Sequence, residues 1–432
     1  MYVKRLELSR FRCFESVDVG FHYPGRPLPE DVEPVAFPNM TLILGDNGAG
    51  KSSLLKAISV GILGTVLSDS GFRPFRLVRL SSILGVGQGS VRVTAEVGAA
   101  DREPEGSDYV FQAVLEHQFQ ENYFVHEKTA IFSDGVQLPV PDGLRGAKNA
   151  AFLLCGYGSS RRSEDAQTYD EAARLKSRSA RYQRVASLFE EGFTLIPFSP
   201  WLTNLASPPD PHHHFGEVIE LLAKLLEGSE IALSSFSGRV SSKGSSYDAV
   251  FTITADKTQV HFSELSDGYR TYLSWLGDLL KQLVDVTPQG SNLVETAGVV
   301  LLDEVDLHLH PSWQRRILGR LSSTFPKLQF IVTSHSPILA ASVPRENVLM
   351  VDRSAEGPAV VTWPSKDYYG RSVDEVLTGD LFGLSSTLTP ELEARAEAAE
   401  ERRIDLAQTL AKNPTPEAAD AYLRELTKTW SE

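Results

Sequence analysis

The chain has 432 residues, 42% hydrophobic and 23% charged, which is enough for a large core and for two to three domains or one enlarged by insertions. A net charge of −14 excludes an overall basic footprint for wrapping nucleic acid and leaves any such contact to a local patch. The only cysteines, Cys13 and Cys155, lie far apart without metal-type spacing and read as small hydrophobes in a reducing cytosol, and no apolar run approaches the roughly twenty residues that span a bilayer.

The N-terminus, Met1-Tyr2-Val3-Lys4-Arg5-Leu6-Glu7-Leu8, alternates like a strand and lacks the apolar core of a signal peptide. A second apolar run, Met40-Thr41-Leu42-Ile43-Leu44, leads into Gly45-Asp46-Asn47-Gly48-Ala49-Gly50-Lys51-Ser52 and then a helical pattern. This is a phosphate-binding loop in its proper context. Its glycines let successive N–H groups face phosphates at a helix N-terminus. The candidate nucleotide-binding residues are Gly45, Asn47, Gly48, Gly50, Lys51, Ser52 and Ser53. Lys51 would reach the β- and γ-phosphates and Ser52 would hold Mg²⁺. A turn that merely needs glycine does not account for Lys-Ser after the last one.

Period-two runs at 91–97 and 109–115 predict antiparallel strands beside the nucleotide sheet, and similar runs recur at 247–254 and 259–262. Between them, residues 156–212 show no sustained heptads and are broken by Pro197, Pro200, Pro208, Pro209 and Pro211, which excludes a long coiled-coil arm and predicts a compact insertion. It carries Arg161, Arg162, Arg174, Lys176, Arg178, Arg181 and Arg184 with Tyr169 and Tyr182 interleaved. That composition suits nucleic acid; it equally suits a solvated face paired with Glu164, Asp165, Asp170 and Glu171, or a protein-docking site. His212-His213-His214 sits in a proline-rich loop without further ligands at metal spacing and reads as surface loop.

Leu265-Ser266-Asp267-Gly268-Tyr269 precedes a helical pattern; Ser266 and Gly268 can present a hydroxyl and N–H groups to an anion, or Ser266 can be an ordinary N-cap. Val299-Val300-Leu301-Leu302-Asp303-Glu304 is a β-rich run ending in two acids, Asp303 for the Mg²⁺ shell and Glu304 to orient and deprotonate water. Phe330-Ile331-Val332-Thr333-Ser334-His335 is a strand ending in a turn whose histidine can report a γ-phosphate or simply bond the backbone. Thr389-Pro390 and Thr415-Pro416 each predict an N-cap with a first-turn proline, hence helices at about 390–413 and 416–430 in a hairpin.

Taken in order, these elements resemble the ABC-type ATPases, specifically the soluble branch of SMC, RecF and OLD-like proteins. Leu6-Glu7-Leu8-Ser9-Arg10-Phe11-Arg12-Cys13-Phe14 is similar to that branch's opening, and Glu304-Val305-Asp306-Leu307-His308-Leu309-His310-Pro311 to its Walker B and D-loop. The signature has Asp267 where the family commonly has glycine. The resemblance covers roughly residues 1–130 and 230–380. It implies an α/β ABC-type P-loop head with an antiparallel β subdomain, a compact insertion and a C-terminal helical hairpin, divided as 1–155, 156–212, 213–388 and 389–432. It further implies ATP and Mg²⁺ in composite sites of a homodimer or higher oligomer: Lys51 and Ser52 of one subunit capped by Ser266 and Gly268 of another, Glu304 as base, His335 on the γ-phosphate, Asp306 coupling the sites. The family glutamine that contacts Mg²⁺ falls on Gln88, Gln112, Gln118 or Gln120.

The tail is similar to that of small bacterial anti-phage defence ATPases such as PtuA of Septu systems, retron-associated ATPases and AriA of PARIS systems, which implies a cytoplasmic sensor or regulatory subunit acting with a separate effector, often a nuclease encoded nearby. The Arg161 to Arg184 stretch leaves a nucleic-acid contact open, and no membrane role is expected. Two other readings stand beside this one: a RecF-like ATPase that binds DNA in recombination repair, and a transporter's nucleotide-binding subunit. Acidic charge weighs against the first, and the Walker B continuation and the insertion weigh against the second.

Overall fold

The computed structural model describes residues 1–26, 35–64, 66–67, 70–72, 76–80, 87–96, 108–118, 121–133, 136–138, 152–162, 178–206, 214–241, 244–353 and 357–427. Its strands are β1 (Tyr2–Phe11), β2 (Phe14–Gly20), β3 (Met40–Leu44), β4 (Gly87–Glu96), β5 (Asp108–Gln118), β6 (Glu121–Ser133), β7 (Val136–Leu138), β8 (Leu154–Tyr157), β9 (Ile231–Ser241), β10 (Gly244–Ile253), β11 (Gln259–His261), β12 (Gly298–Leu302), β13 (Leu328–Thr333), β14 (Val348–Arg353) and β15 (Ala359–Thr362). Twelve form one sheet in the order β7-β6-β5-β4-β1-β2-β15-β14-β3-β13-β12-β8, while β11-β10-β9 form a second.

Sequence pattern separates the two halves of the large sheet. Along β4, buried and less buried residues alternate, as in an antiparallel strand with one face on the core. In β1 that alternation slips between Val3 and Leu6, where its register with β4 shifts. By contrast β3, β12 and β13 are buried at every residue, as parallel strands covered on both faces must be. The neighbours β14, β3, β13, β12 and β8 all pair in parallel. The antiparallel wing is continuous with this nucleotide half: β15 pairs antiparallel with β14 and meets β2 at Ala359 and Phe14.

The helices are α1 (Lys51–Leu63), α2 (Ala180–Gln183), α3 (Ala186–Phe189), α4 (Phe198–Ala206), α5 (His214–Leu226), α6 (Asp267–Val286), α7 (Pro311–Thr324), α8 (Pro337–Ala340), α9 (Val373–Leu377), α10 (Pro390–Lys412) and α11 (Pro416–Thr427). α1 is apolar around most of its circumference and correspondingly buried, with Leu54, Leu55, Ile58 and Val60 sharing one core with Val91, Val93 and Phe111 of the wing. α6 and α7 are amphipathic: α6 buries Leu273, Leu276, Leu280 and Leu283, and α7 buries Ile317, Leu318 and Leu321.

The chain divides into two compact units, residues 1–371 and 372–432. In the second, both expected N-caps form: Thr389 Oγ1 accepts from Leu392 N at 3.4 Å and Thr415 Oγ1 from Ala418 N at 3.2 Å. α10 and α11 pack together as the expected hairpin, with Arg402 Nε 3.3 Å from Glu425 Oε1. No residue of α10 is buried.

Candidate active site

Three parallel neighbours, β3, β13 and β12, release their chains at the same sheet end, so the phosphate loop, the histidine turn and the acidic turn converge. Gly45 and Gly50 have φ of +146° and +124°, which a side chain resists, and a Cβ would stand 2.2 Å from Val351 O at the first and 2.5 Å from Cys13 Sγ at the second. Both glycines are therefore required for the loop to close against β14 and the β1–β2 turn. Gly48, at φ +76°, has open space beside it, and Asn47 and Gly48 are exposed.

Lys51, with 5% of its surface exposed, donates to Gly45 O at 2.8 Å, Asp46 O at 3.0 Å and His335 Nε2 at 2.7 Å. Three acceptors satisfy its three N–H groups within the loop a phosphate would fill. Burial lowers its pKa, while the carboxylates of Asp303, Glu304, Asp46 and Asp306 oppose that shift. Burial and the neighbouring Lys51 lower the His335 pKa below its ordinary 6.5, which keeps the imidazole neutral and able to accept from the ammonium.

Ser52 Oγ donates to Asp303 Oδ1 at 3.0 Å, and Thr333 Oγ1 donates to the same oxygen at 2.6 Å. Thr333 Oγ1 also accepts from Glu304 N at 2.8 Å. Glu304 is half-buried with φ +48°, a strained left-handed conformation, and Leu307 N closes the turn onto its carbonyl at 3.0 Å. A hydroxyl and a carboxylate oxygen held together beside a glycine-lined loop and a lysine fit the oxygen-ligand chemistry of Mg²⁺ and the anionic chemistry of a triphosphate.

Ser266 and Gly268 lie elsewhere, at the start of α6. Ser266 occupies the N-cap position but its exposed hydroxyl makes no cap bond, so it is not the ordinary cap. Close packing falls on Gly268, whose Cβ would stand 2.4 Å from His308 O, whereas Asp267 is exposed and bonds Arg270. A cavity of about 140 Å³ opens there, lined by Ser266, Gly268, Tyr269, His308, His310 and Trp313 among others. Asp306 Oδ1 is buried without a partner among the described residues.

Several residues at the site carry no motif signal. Arg161 Nη2 donates to Asp303 O at 2.9 Å and to Glu304 O. Tyr157 O accepts from Asp303 N at 2.8 Å. Gln314 joins Leu309 O, 3.0 Å from its Nε2, to the Ser336 hydroxyl, 2.6 Å from its Oε1, and so links the acidic turn to the histidine turn. Arg12, at φ +51° in the β1–β2 turn, stands near Lys56, whose pKa is lowered by burial and then by Arg12.

The arginine-rich stretch is corrected in its described part. Arg161, Arg181 and Arg184 are 2%, 4% and 5% exposed. Arg181 lies over the Phe152 ring, Arg184 Nε donates to Gln282, and Arg178 pairs with Glu190. These cations face the protein interior or a carboxylate and offer no nucleic-acid face. Among the described arginines of the stretch Arg162 alone is exposed, and 163–177 lie outside the described residues. His214 is buried in α5 against Glu217, correcting the surface-loop reading there, and His212 and His213 lie outside the described residues. Gln88 and Gln112 fall in β4 and β5 and Gln118 ends β5, all in the antiparallel wing, while Gln120 lies outside the described residues; the turn leaving β8 beside Asp303 contains no glutamine. Among the described residues no helix is long and apolar enough to cross a membrane.

A family model described as "AAA domain, putative AbiEii toxin, Type IV TA system" matches residues 159–341, and another described as "AAA domain" matches residues 5–137. The Septu protein PtuA of Bacillus mycoides (strain KBAB4) is 22% identical over 387 residues, 90% of this chain and 45% of that protein. The Retron Ec83 probable ATPase of Escherichia coli is 40% identical over 105 residues, 24% of this chain and 19% of that one. The matched part thus spans less than half the length of either relative. Among solved structures, an SMC head bound to the C-terminal winged-helix domain of ScpA aligns with a TM-score of 0.46 and 17% identity over 84% of this chain and 98% of that one. The family models and relatives agree with the resemblance carried by the motifs: the chain is homologous to the Septu protein PtuA and to a retron probable ATPase.

Proposed function

We propose that this chain, a homologue of the Septu and retron ATPases, binds and hydrolyses ATP between paired heads and serves as the sensor or regulatory subunit of a cytoplasmic bacterial anti-phage complex whose effector, such as a nuclease, is a separate protein. The observation that carries the catalytic part is the convergence of Lys51, Ser52, Asp303, Glu304 and His335 at one end of the parallel strands. Lys51 exchanges its three internal acceptors for phosphate oxygens. Ser52 and Asp303 would hold Mg²⁺, which when bound offsets phosphate charge. Glu304 accepts the proton of the attacking water, and His335, freed from Lys51, donates to the γ-phosphate.

The exposed Ser266 hydroxyl beside Gly268, on a helix start separate from Lys51, supports a site completed by a second copy, with Asp306 at the joint. Composite assembly is tested by mixing two inactive variants, Lys51→Ala and Ser266→Arg, which can form one intact site from two dead parents. Recovered phosphate release supports the paired arrangement. Continued inactivity in subunits that demonstrably pair refutes it. The defence role rests on the relatives and is tested by phage plating with and without the neighbouring gene. The inward-facing arginines withdraw support from a DNA clamp of the RecF kind.

A further inference from the structure

In β8 and β12, Tyr157 pairs with Leu302, so the two strands end level and the segment leaving β8 runs beside the acidic turn. Gly158 permits this, since a Cβ there would stand 2.1 Å from Ser187 O. Three residues on, Arg161 enters the protein and is 2% exposed. A buried guanidinium is tolerated only where the fold supplies acceptors. Those its Nη2 reaches are main-chain carbonyls, Asp303 O at 2.9 Å and Glu304 O. Burial lowers its pKa to about 10, opposed by Asp303, Glu304 and Asp306, so it stays charged at neutral pH.

We propose that Arg161 is a positioning residue for hydrolysis, holding the strained turn of Asp303 and Glu304 through its carbonyl oxygens. This rests on the ATPase reading above. A non-glycine residue at φ +48° persists only if its surroundings over-determine it. On the amide side Thr333 Oγ1 takes the Glu304 N–H. On the carbonyl side Leu307 N and Arg161 both donate to Glu304 O. Leu307 belongs to the turn itself, whereas Arg161 reaches it from the segment that leaves β8 and anchors it to that side of the sheet. Lys51 bonds Gly45 O, Asp46 O and His335, and the Asp303 carboxylate is held by Ser52 and Thr333. Loss of Arg161 therefore acts on turnover rather than on nucleotide binding.

The test uses the full chain with Arg161→Met, which keeps the apolar stem, and Arg161→Lys, which keeps the charge but has one nitrogen for two carbonyls. Steady-state phosphate release gives kcat and KM, and a slowly hydrolysed ATP analogue gives affinity. We expect kcat of Arg161→Met to fall roughly ten- to a hundred-fold with KM and affinity within about threefold, Arg161→Lys to be intermediate, and Arg161→Met to cost nothing further on a Glu304→Gln background. Should Arg161→Met not fold, intermediate kcat with unchanged KM in Arg161→Lys still supports the role, and wild-type kcat or raised KM there overturns it. Wild-type kcat in both variants, parallel loss of affinity, or full additivity with Glu304→Gln overturns it as well. If Glu304→Gln itself keeps full turnover, the base assignment fails and this proposal with it; if Glu304→Gln is dead while the Arg161 variants are normal, only this proposal fails.

Discussion

Thr333→Val replaces a fully buried hydroxyl by a methyl of nearly the same volume, and the structure sets its consequences from two bonds. The first is the 2.6 Å donation to Asp303 Oδ1, a hydrogen bond to a charged group worth about 1.5–3 kcal/mol. The second is acceptance of the Glu304 N–H at 2.8 Å; without it a buried donor is left unpaired at about 1–3 kcal/mol. The two losses fall on one turn and overlap, so about 2–4 kcal/mol is the expected sum, part appearing as stability and part as misplacement of Asp303 and Glu304. If half reaches the transition state, turnover falls roughly five- to thirty-fold, since about 1.4 kcal/mol is tenfold. Thr333→Ser keeps both bonds and should stay within about threefold of wild type, with a small loss from the missing methyl. Phosphate release and thermal melting on the three proteins check this. A Thr333→Val protein that melts and turns over like wild type would refute the reasoning, because it would mean the hydroxyl does not organise the turn.

Glu304→Gln should lower hydrolysis by roughly two or more orders of magnitude with ATP still bound, whereas Lys51→Ala should weaken binding itself, both read by analogue titration beside phosphate release. Gly268→Ala places a Cβ 2.4 Å from His308 O, so it should displace the α6 start from the acidic turn and reduce cooperative turnover while monomer nucleotide affinity holds; unchanged cooperativity would count against composite sites. His335 sits below its ordinary 6.5, so its contribution to stability is present above that value and is lost as pH falls below it; an added triphosphate raises its pKa, and binding near pH 6 should take up a proton, seen by calorimetry in two buffers and absent in His335→Gln. Deleting residues 390–432 should leave hydrolysis intact and abolish co-purification with the neighbouring gene product if the hairpin docks an effector; collapse of melting temperature would instead assign it to the head.

The phosphate loop, the acidic turn and the histidine turn were legible because each is continuous in sequence and follows a strand whose apolar run is unmistakable. The N-caps at Thr389 and Thr415 were legible for the same reason. What escaped is what the sheet brings together from a distance: Arg161 lies 142 residues from Asp303, and Thr333 lies 30 from it. Charge counting could not place Arg161, Arg181 and Arg184, because composition registers arginines and not the carbonyls, ring and amide that distant segments present to them. Likewise the runs at 91–97 and 109–115 read as strands beside the nucleotide sheet, and their join to it runs through β15 by the Ala359 and Phe14 pairing, which no pattern announces, whereas the runs at 247–254 and 259–262 fall in the separate β11-β10-β9 sheet.

That continuity bears on how one head could report its state. Tyr157 accepts from Asp303 N through its carbonyl, and its hydroxyl donates to Asp278 Oδ2 at 3.0 Å, in the helix that begins at Ser266 and Gly268. A single residue of β8 therefore touches both the acidic turn and the signature helix. The tie is buried, with Tyr157 1% and Asp278 6% exposed, and burial pushes the phenol pKa well above its ordinary value, so the hydroxyl stays protonated as donor. Interior packing transmits displacement because it has few voids to absorb it. Among the described residues, a shift of the acidic turn on hydrolysis would reach the α6 start through Tyr157 to Asp278 and through His308 to Gly268. Removing one should weaken the coupling, and Tyr157→Phe, which deletes only the hydroxyl, isolates the first: paired-head turnover should become less cooperative while kcat at a single site holds. Unchanged cooperativity in that variant would refute the Tyr157 route.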